Sequence, residues 1–129
     1  MNFAQRMNDF AAKCGLPAPE TASGAVVIDV NGIPVSFLDH ASDETIVLHA
    51  AIGEPSPGEE GRAARALLEA NAALRERPDA ILCQDPETKG FAAIRAIPLR
   101  IAEPDALVAA VADLVKTATM WRKRLVGSF

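Results

Sequence analysis

The sequence predicts an α+β fold: an α-β-β-β-α-β-β-α sandwich with a twisted antiparallel five-stranded sheet and three helices, spanning residues 1–129 as one domain. Three observations carry this expectation. Asn31-Gly32 stands between two runs of alternating apolar residues, the strongest short-range signal for a β-hairpin. The stretch Gly61 to Leu99 couples an alanine- and leucine-rich helical pattern directly to a second hairpin, with Asp85-Pro86-Glu87-Thr88-Lys89-Gly90 supplying the turn. Finally, Leu107, Val111, Leu114, Ala118, Trp121 and Leu125 recur at spacings of three and four, the stripe of a closing helix that covers the sheet. Helices segregated onto an antiparallel sheet are the layer solution such a series allows.

The elements follow in chain order. Phe3, Met7, Phe10 and Cys14 share one face of a short amphipathic helix, and Gly15 is placed for a left-handed C-terminal position before Leu16 and Pro17. Its large side chains have two possible destinations, the domain's own sheet or a docking surface for another chain, and core anchoring is the commoner. Pro17 to Thr21 is a loop. In the first strand, Val26, Ile28 and Val30 alternate against Ala25, Val27 and Asp29. Its return, Ile33 to His40, sets Ile33, Val35 and Phe37 on one face and Ser36, Leu38 and His40 on the other. Pro34 removes one ladder donor, which suits a sheet edge or a position facing away from the neighbouring strand. A polar turn at Ala41 to Glu44 leads to a third strand, Thr45 to Ile52, with Ile46, Leu48, Ala50 and Ile52 aligned.

The connection Gly53 to Gly61, rich in proline, glycine and glutamate, is expected to be exposed. In the central helix Ala63, Leu67, Ala70 and Leu74 form one stripe and Ala64, Leu68 and Asn71 a second, so one face packs on the sheet and the other wants a partner. Pro78 cannot continue that helix. Ala80 to Gln84 and Phe91 to Leu99 make the second hairpin. The last helix opens at Pro104, tolerated in a first turn, with Asp105 favouring the positive end of the dipole.

Composition limits what such a fold can do. Half of the 129 residues are hydrophobic but only 5% are aromatic, and 13 basic residues against 17 acidic give a net charge of −4. An acidic chain offers no general phosphate-binding surface, so nucleic acid is not an expected partner. Arg122-Lys123-Arg124 lies in the last turns of a helix, where cations complement the macrodipole. No window approaches 18 consecutive apolar residues, and Arg6, Asp9 and Lys13 interrupt the N-terminal pattern, so no membrane insertion is expected and the location is cytoplasmic. Cys14 and Cys83 lack CxxC spacing and read as reduced residues in or near the core.

The minimum parts of nucleotide, zinc-protease and hydrolase sites are missing: GxxxxGK, GxGxxG after a strand, HExxH and GxSxG do not occur. His40 and His49 fall on opposite sides of a turn, and with Cys14 or Cys83 they would be the only material for a nucleophile pair or metal site; surface or hydrogen-bonded strand histidines are far commoner. Asp39, Asp43 and Glu44 read as a solvated turn. The expectation is a protein with no catalytic residue, metal or cofactor.

The opening helix ending CGLP, the hairpin VVIDVNGIPVSF, the strand IVLHAAIG with its proline-containing loop, the ALLEAN helix, the QDPETKG turn, the strand ending IPL and the helix containing MWRKRL occur in that order. Together they resemble the class I type III secretion chaperones, the Tir chaperone (CesT) family, over nearly the whole chain. The resemblance implies a bacterial homodimer that uses no ATP. It binds the N-terminal chaperone-binding region of a secreted effector in extended form, keeps it soluble and secretion-competent, and helps target it to the secretion machinery, the secretion-system ATPase being a further partner. In that family the central helix and the following strand contribute to the dimer contact, which points here to Leu67, Leu68, Asn71, Leu74 and Leu82. Patches near the first helix and sheet receive the effector, which points to Phe3, Met7, Phe10, Ile28, Val35 and Phe37. Ala72 and Ala73 depart from the bulkier residues usual in the central helix.

Elementary physics agrees with that picture. A second apolar stripe can complement itself across a two-fold axis, burying about 1,600 Å² if of standard size. A sheet edge can donate main-chain hydrogen bonds to an extended peptide whose apolar side chains each contribute roughly 1.5 to 3 kcal/mol when buried. A cytoplasmic regulatory adaptor of the same fold, docking a folded protein, is the alternative.

Overall fold

The computed structural model describes residues 1–74 and 80–126, and the side chain of Leu74 lies outside what it describes, as does Pro78. The predicted order of elements is present: α1 Phe3–Cys14, β1 Ala25–Val30, β2 Ile33–His40, β3 Thr45–Gly53, α2 Glu60–Leu74, β4 Ile81–Gln84, β5 Phe91–Pro98 and α3 Pro104–Leu125. Short 3-10 turns at Ala41–Asp43 and Leu99–Ile101 follow β2 and β5. Asn2 starts α1 with a reciprocal capping box, its side chain accepting from the Gln5 N–H while Gln5 accepts from the Asn2 N–H.

The five strands form one antiparallel sheet in the order β1-β2-β3-β5-β4. Register places Ile28, Val35, Ala50, Ala93 and Leu82 in one row across all five strands. The neighbouring row, on the opposite face, is Val27, Ser36, His49, Ile94 and Ile81. α3 lies across β2, β3 and β5 on the first face, α1 rests against α3, and α2 sits beside β4. The first face is therefore core: Val35, Phe37, Ile46, Leu48 and Ala50 are fully buried with Leu107, Leu114, Ala118 and Trp121. The second face is open, with Val27, Leu38 and Ile81 exposed.

Two expectations are corrected. β2 is interior, not an edge; Pro34 is tolerated because of what replaces its missing donor. Val35 opposes Ala50 and Ser36 opposes His49, so Pro34 comes opposite Ala51 and cannot supply the N–H that the Ala51 carbonyl would take. The β3–β5 register then shifts between Ala51 and Gly53, which leaves Ile52 as the extra residue of a bulge. Arg122 serves both places. Its Nη2 donates to Ala51 O at 3.2 Å, its Nε to Ile52 O at 2.9 Å, and its Nη1 to Gly32 O in the β1–β2 turn at 2.9 Å. Arg122 is thus a clamp between α3, the first hairpin and the end of β3, beyond any complement to the helix dipole. The second correction concerns Cys14, which is exposed.

A buried arginine does similar work at the other end. Arg6, only 7% exposed, donates through Nε to Leu99 O at 2.8 Å and through Nη2 to Arg100 O at 3.2 Å, fastening α1 to the turn that precedes α3. At the β4 edge the amide of Asn71 accepts from the Leu82 N–H at 2.8 Å and donates to the Leu82 carbonyl at 2.7 Å. It makes the pair of bonds that a neighbouring strand would make.

Replacing Arg122 with alanine leaves three carbonyls without their donor and is expected to lower stability by about 2 to 4 kcal/mol, read from the urea midpoint. Arg122→Lys should recover only part of it, since a single ammonium nitrogen cannot reach the acceptors that three separate guanidinium nitrogens serve. Asn71→Asp removes the donor to Leu82 and sets a carboxylate against a carbonyl. It is expected to lose about 1 to 3 kcal/mol in the same measurement.

Candidate functional site

Three elements leave a trough between them. The β1–β2 hairpin turns through Asn31 and Gly32, both at positive φ (53° and 84°), the pairing a two-residue hairpin of this twist requires. Asp29 Oδ1 accepts from the Gly32 N–H at 2.9 Å and Arg122 holds the Gly32 carbonyl, so the turn is fixed from both sides. α1 ends at Gly15 in the left-handed conformation, with Leu16 N–H bonded back to Ala11 O at 2.8 Å, and this sends Leu16 towards the hairpin. α3 carries a second stripe beside its core stripe: Val108, Ala112, Val115 and Thr119, at spacings of four, three and four, with Met120 adjoining.

Between these walls lies an open apolar groove of about 950 Å³. Phe10, Cys14 and Leu16 line it from α1 and its end, Ile28, Val30 and Asn31 from the hairpin, and the second stripe of α3 from the far side. Phe10 forms part of its floor, 4% exposed, with its ring centroid 5.1 Å from that of Phe37. Val108 and Met120 stand open at 38% and 54% exposure. The charged residues lining it are Lys116, Lys123 and Arg124, all cationic. The Arg124 guanidinium lies over the Trp121 ring at 4.6 Å. A smaller hollow of about 300 Å³ adjoins, lined by Met7, Ala11, the segment Leu16–Pro19 and Val26 to Ile28.

The two sheet edges differ. The hairpin pairs Val30 with Ile33, and Asp39 N–H donates to Gly24 O at 2.8 Å, so alternation directs the N–H and C=O of Val27 and Asp29 away from β2. The β1 edge can accept another strand beside the groove. At the β4 edge, Asn71 occupies Leu82.

Of the residues expected to receive an effector, Phe3, Met7, Phe10, Val35 and Phe37 lie in the protomer's own core at 4%, 0%, 4%, 0% and 0% exposure, because their stripe faces α3 and the covered face of the sheet. Phe10 and half-buried Ile28 reach the groove; Met7 and Ile28 reach the smaller hollow. Among the residues expected at a dimer contact, Leu67 and Leu82 are buried within the protomer, Asn71 is half-buried on the β4 edge, and Leu68 stands out at 68% exposure. Nearby Ile81, at 59%, was not anticipated. The α3 stripe was also missed, although its spacing of four, three and four is readable in the sequence.

His40 and His49 are not brought together. His40 Nδ1 lies 2.8 Å from Asp43 Oδ2 on the surface, while His49 sits four residues further along the ladder, opposite Ser36. Cys14 lines the groove under the covered face, whereas half-buried Cys83 belongs to β4, where burial and then the Asp85 carboxylate push its thiol pKa up. Among the described residues, no three His, Cys, Asp or Glu side chains are placed to hold a metal ion, and no helix is long and apolar enough to cross a membrane.

No curated protein is detectably similar in sequence. Among solved structures, a chain of the ExsC–ExsE complex superposes with a TM-score of 0.81 at 20% identity, covering 97% of each chain. A chain of the HopA1–SchA chaperone–effector complex also gives 0.81, at 16% identity over 92% of this chain and 91% of that one. A chain of the ExoT–SpcS complex from Pseudomonas aeruginosa gives 0.70, at 18% identity over 93% and 98%. These establish a shared fold, and the family model of the Tir chaperone proteins matches residues 5–122. On that match, which runs from within α1 to within α3 and takes in all five strands, the chain belongs to the Tir chaperone protein (CesT) family.

Proposed function

We propose that this protein is a cytoplasmic type III secretion chaperone. It binds the N-terminal chaperone-binding region of a secreted effector in extended form, without ATP and without catalysis, and keeps it soluble until the secretion machinery and its ATPase receive it. The observation that carries this reading is the open apolar groove between α1, α3 and the first hairpin, next to an unpaired strand edge. An extended segment can bond to the backbone of Val27 and Asp29 while alternate side chains enter the groove and the smaller hollow. Each well-buried anchor would contribute roughly 1.5 to 3 kcal/mol. Support also comes from family membership and from the chaperone–effector complex named among the structures of the same fold.

The same reading makes the protein a homodimer. Leu68 and Ile81 are exposed on either side of the Asn71–Leu82 pair, with Ala72 and Ala73 beside them. Small residues let two copies of α2 approach closely, and a patch on one two-fold axis covers itself.

Co-expression with N-terminal fragments of candidate effectors from its own genome is expected to yield a stable complex of two copies with one otherwise insoluble fragment, measured by mass. A well-folded chain that captures none of them, and instead binds a folded protein, would move the assignment to the regulatory adaptor. Met120→Asp should weaken fragment binding about tenfold or more, since it places a charge in a desolvated contact, while leaving the urea midpoint nearly unchanged. Phe10→Asp, by contrast, should unfold the chain. Leu68→Glu is expected to shift the dimer to monomer; unchanged mass in light scattering across a dilution series would remove α2 from the interface.

A further inference from the structure

The groove has a charge sign opposite to that of the molecule. The chain carries a net charge of −4, yet the charged side chains lining the groove are Lys116, Lys123 and Arg124, with no carboxylate among them. Other cations nearby are engaged. Lys13 pairs with Asp105 at 3.1 Å, Arg95 with Asp113 at 4.0 Å, and Arg122 is spent on backbone carbonyls. Among the described residues, Lys116 and Lys123 have no anionic partner. They stand seven residues apart on α3, two turns, so they share one rim at about 10 Å separation along the axis. Their aliphatic stems can lie along the apolar wall while the ammonium groups overhang whatever occupies it.

We propose that the groove selects an effector segment that is apolar on one side and carries carboxylates on the other, aligned on Lys116 and Lys123, and that it disfavours a basic segment. The proposal rests on the groove being the effector site. An extended segment repeats its side chains on one side every 6.6 Å or so. Carboxylates two or four positions apart therefore come within reach of both ammonium groups as the apolar side chains enter the trough. A segment with lysine or arginine at the same positions would set like charges against a rim of three cations beside a desolvated wall, which is how an interface rejects a wrong partner. The negative charge elsewhere on the protein would repel acidic chains generally, so the groove is the place where such a segment finds attraction.

Two designed peptides test this on the full-length chain. Both alternate the same leucines and valines with polar residues; in one these are glutamate and in the other lysine. Binding is read by fluorescence anisotropy, and occupancy of the groove by protection of Cys14, which lines it, from alkylation. The glutamate peptide is expected to bind about tenfold tighter than its lysine counterpart at roughly 0.1 M salt, with the gap closing as salt rises. The double variant K116E/K123E, both at exposed positions, should invert the preference. Equal affinity and equal Cys14 protection by both peptides would overturn the charge selection while leaving the groove as the binding site. Binding that leaves Cys14 fully reactive, or no binding at all, would overturn the selection and the site together.

Discussion

Arg122 is the point through which this fold is tied. Its guanidinium satisfies Ala51, which Pro34 deprives of a ladder donor, Ile52, which the bulge leaves over, and Gly32 at the tip of the first hairpin. Either of the first two alone would be a defect in the sheet, because a carbonyl shielded from water and without a donor costs about 1 to 3 kcal/mol. Together they present three acceptors within the span of one planar fork, on a residue of α3. The hairpin tip and α3 are two of the three walls of the groove. What repairs the sheet also sets the distance between them.

That arrangement shows which parts of the molecule a sequence can disclose. Asn31-Gly32, the stripe from Leu107 to Leu125 and the turn Asp85 to Gly90 each announce an element through local chemistry, and the order of elements follows from them. Arg122 looked like a helix-end cation because its acceptors lie about 70 to 90 positions away in sequence. Asn71 was legible as part of a non-core stripe, but not as a substitute strand for Leu82. The face chosen by a strand could be read; whether that face was core or docking surface could not, since Phe10, Val35 and Phe37 are equally suited to either. What decided it was α3, whose Leu114 and Trp121 seal the same face. The groove then falls to the residues α3 leaves beside its core stripe.

The two sheet edges give the molecule a direction. An edge strand is a template for any extended chain, and an unprotected pair of them would invite polymerisation as readily as ligand binding. Here Asn71 occupies the β4 edge at Leu82 with a side-chain amide, leaving the apolar residues around it, Leu68 and Ile81, without a strand to offer. At Leu82 a contact would fall to side chains. β1 keeps its outward N–H and C=O groups, and beside them lies an apolar trough. On the proposed reading, one end of the sheet serves packing and the other strand addition.

Such a division suits the proposed role of holding a partner segment. A chain that binds an unfolded segment must attract apolar side chains without attracting every unfolded protein, and apolar area alone discriminates poorly because it has no direction. In the proposed complex, backbone bonds at the β1 edge would fix the orientation of the segment but be blind to its sequence. Selectivity must come from what borders the groove, and the residues there that carry both charge and reach are the lysines of α3. In an acidic protein, the proposed local reversal of sign would let one groove choose among segments of similar hydrophobicity, at the modest energies that exposed pairs supply. On that proposal the affinity would remain with the apolar wall, and the choice of partner with its rim.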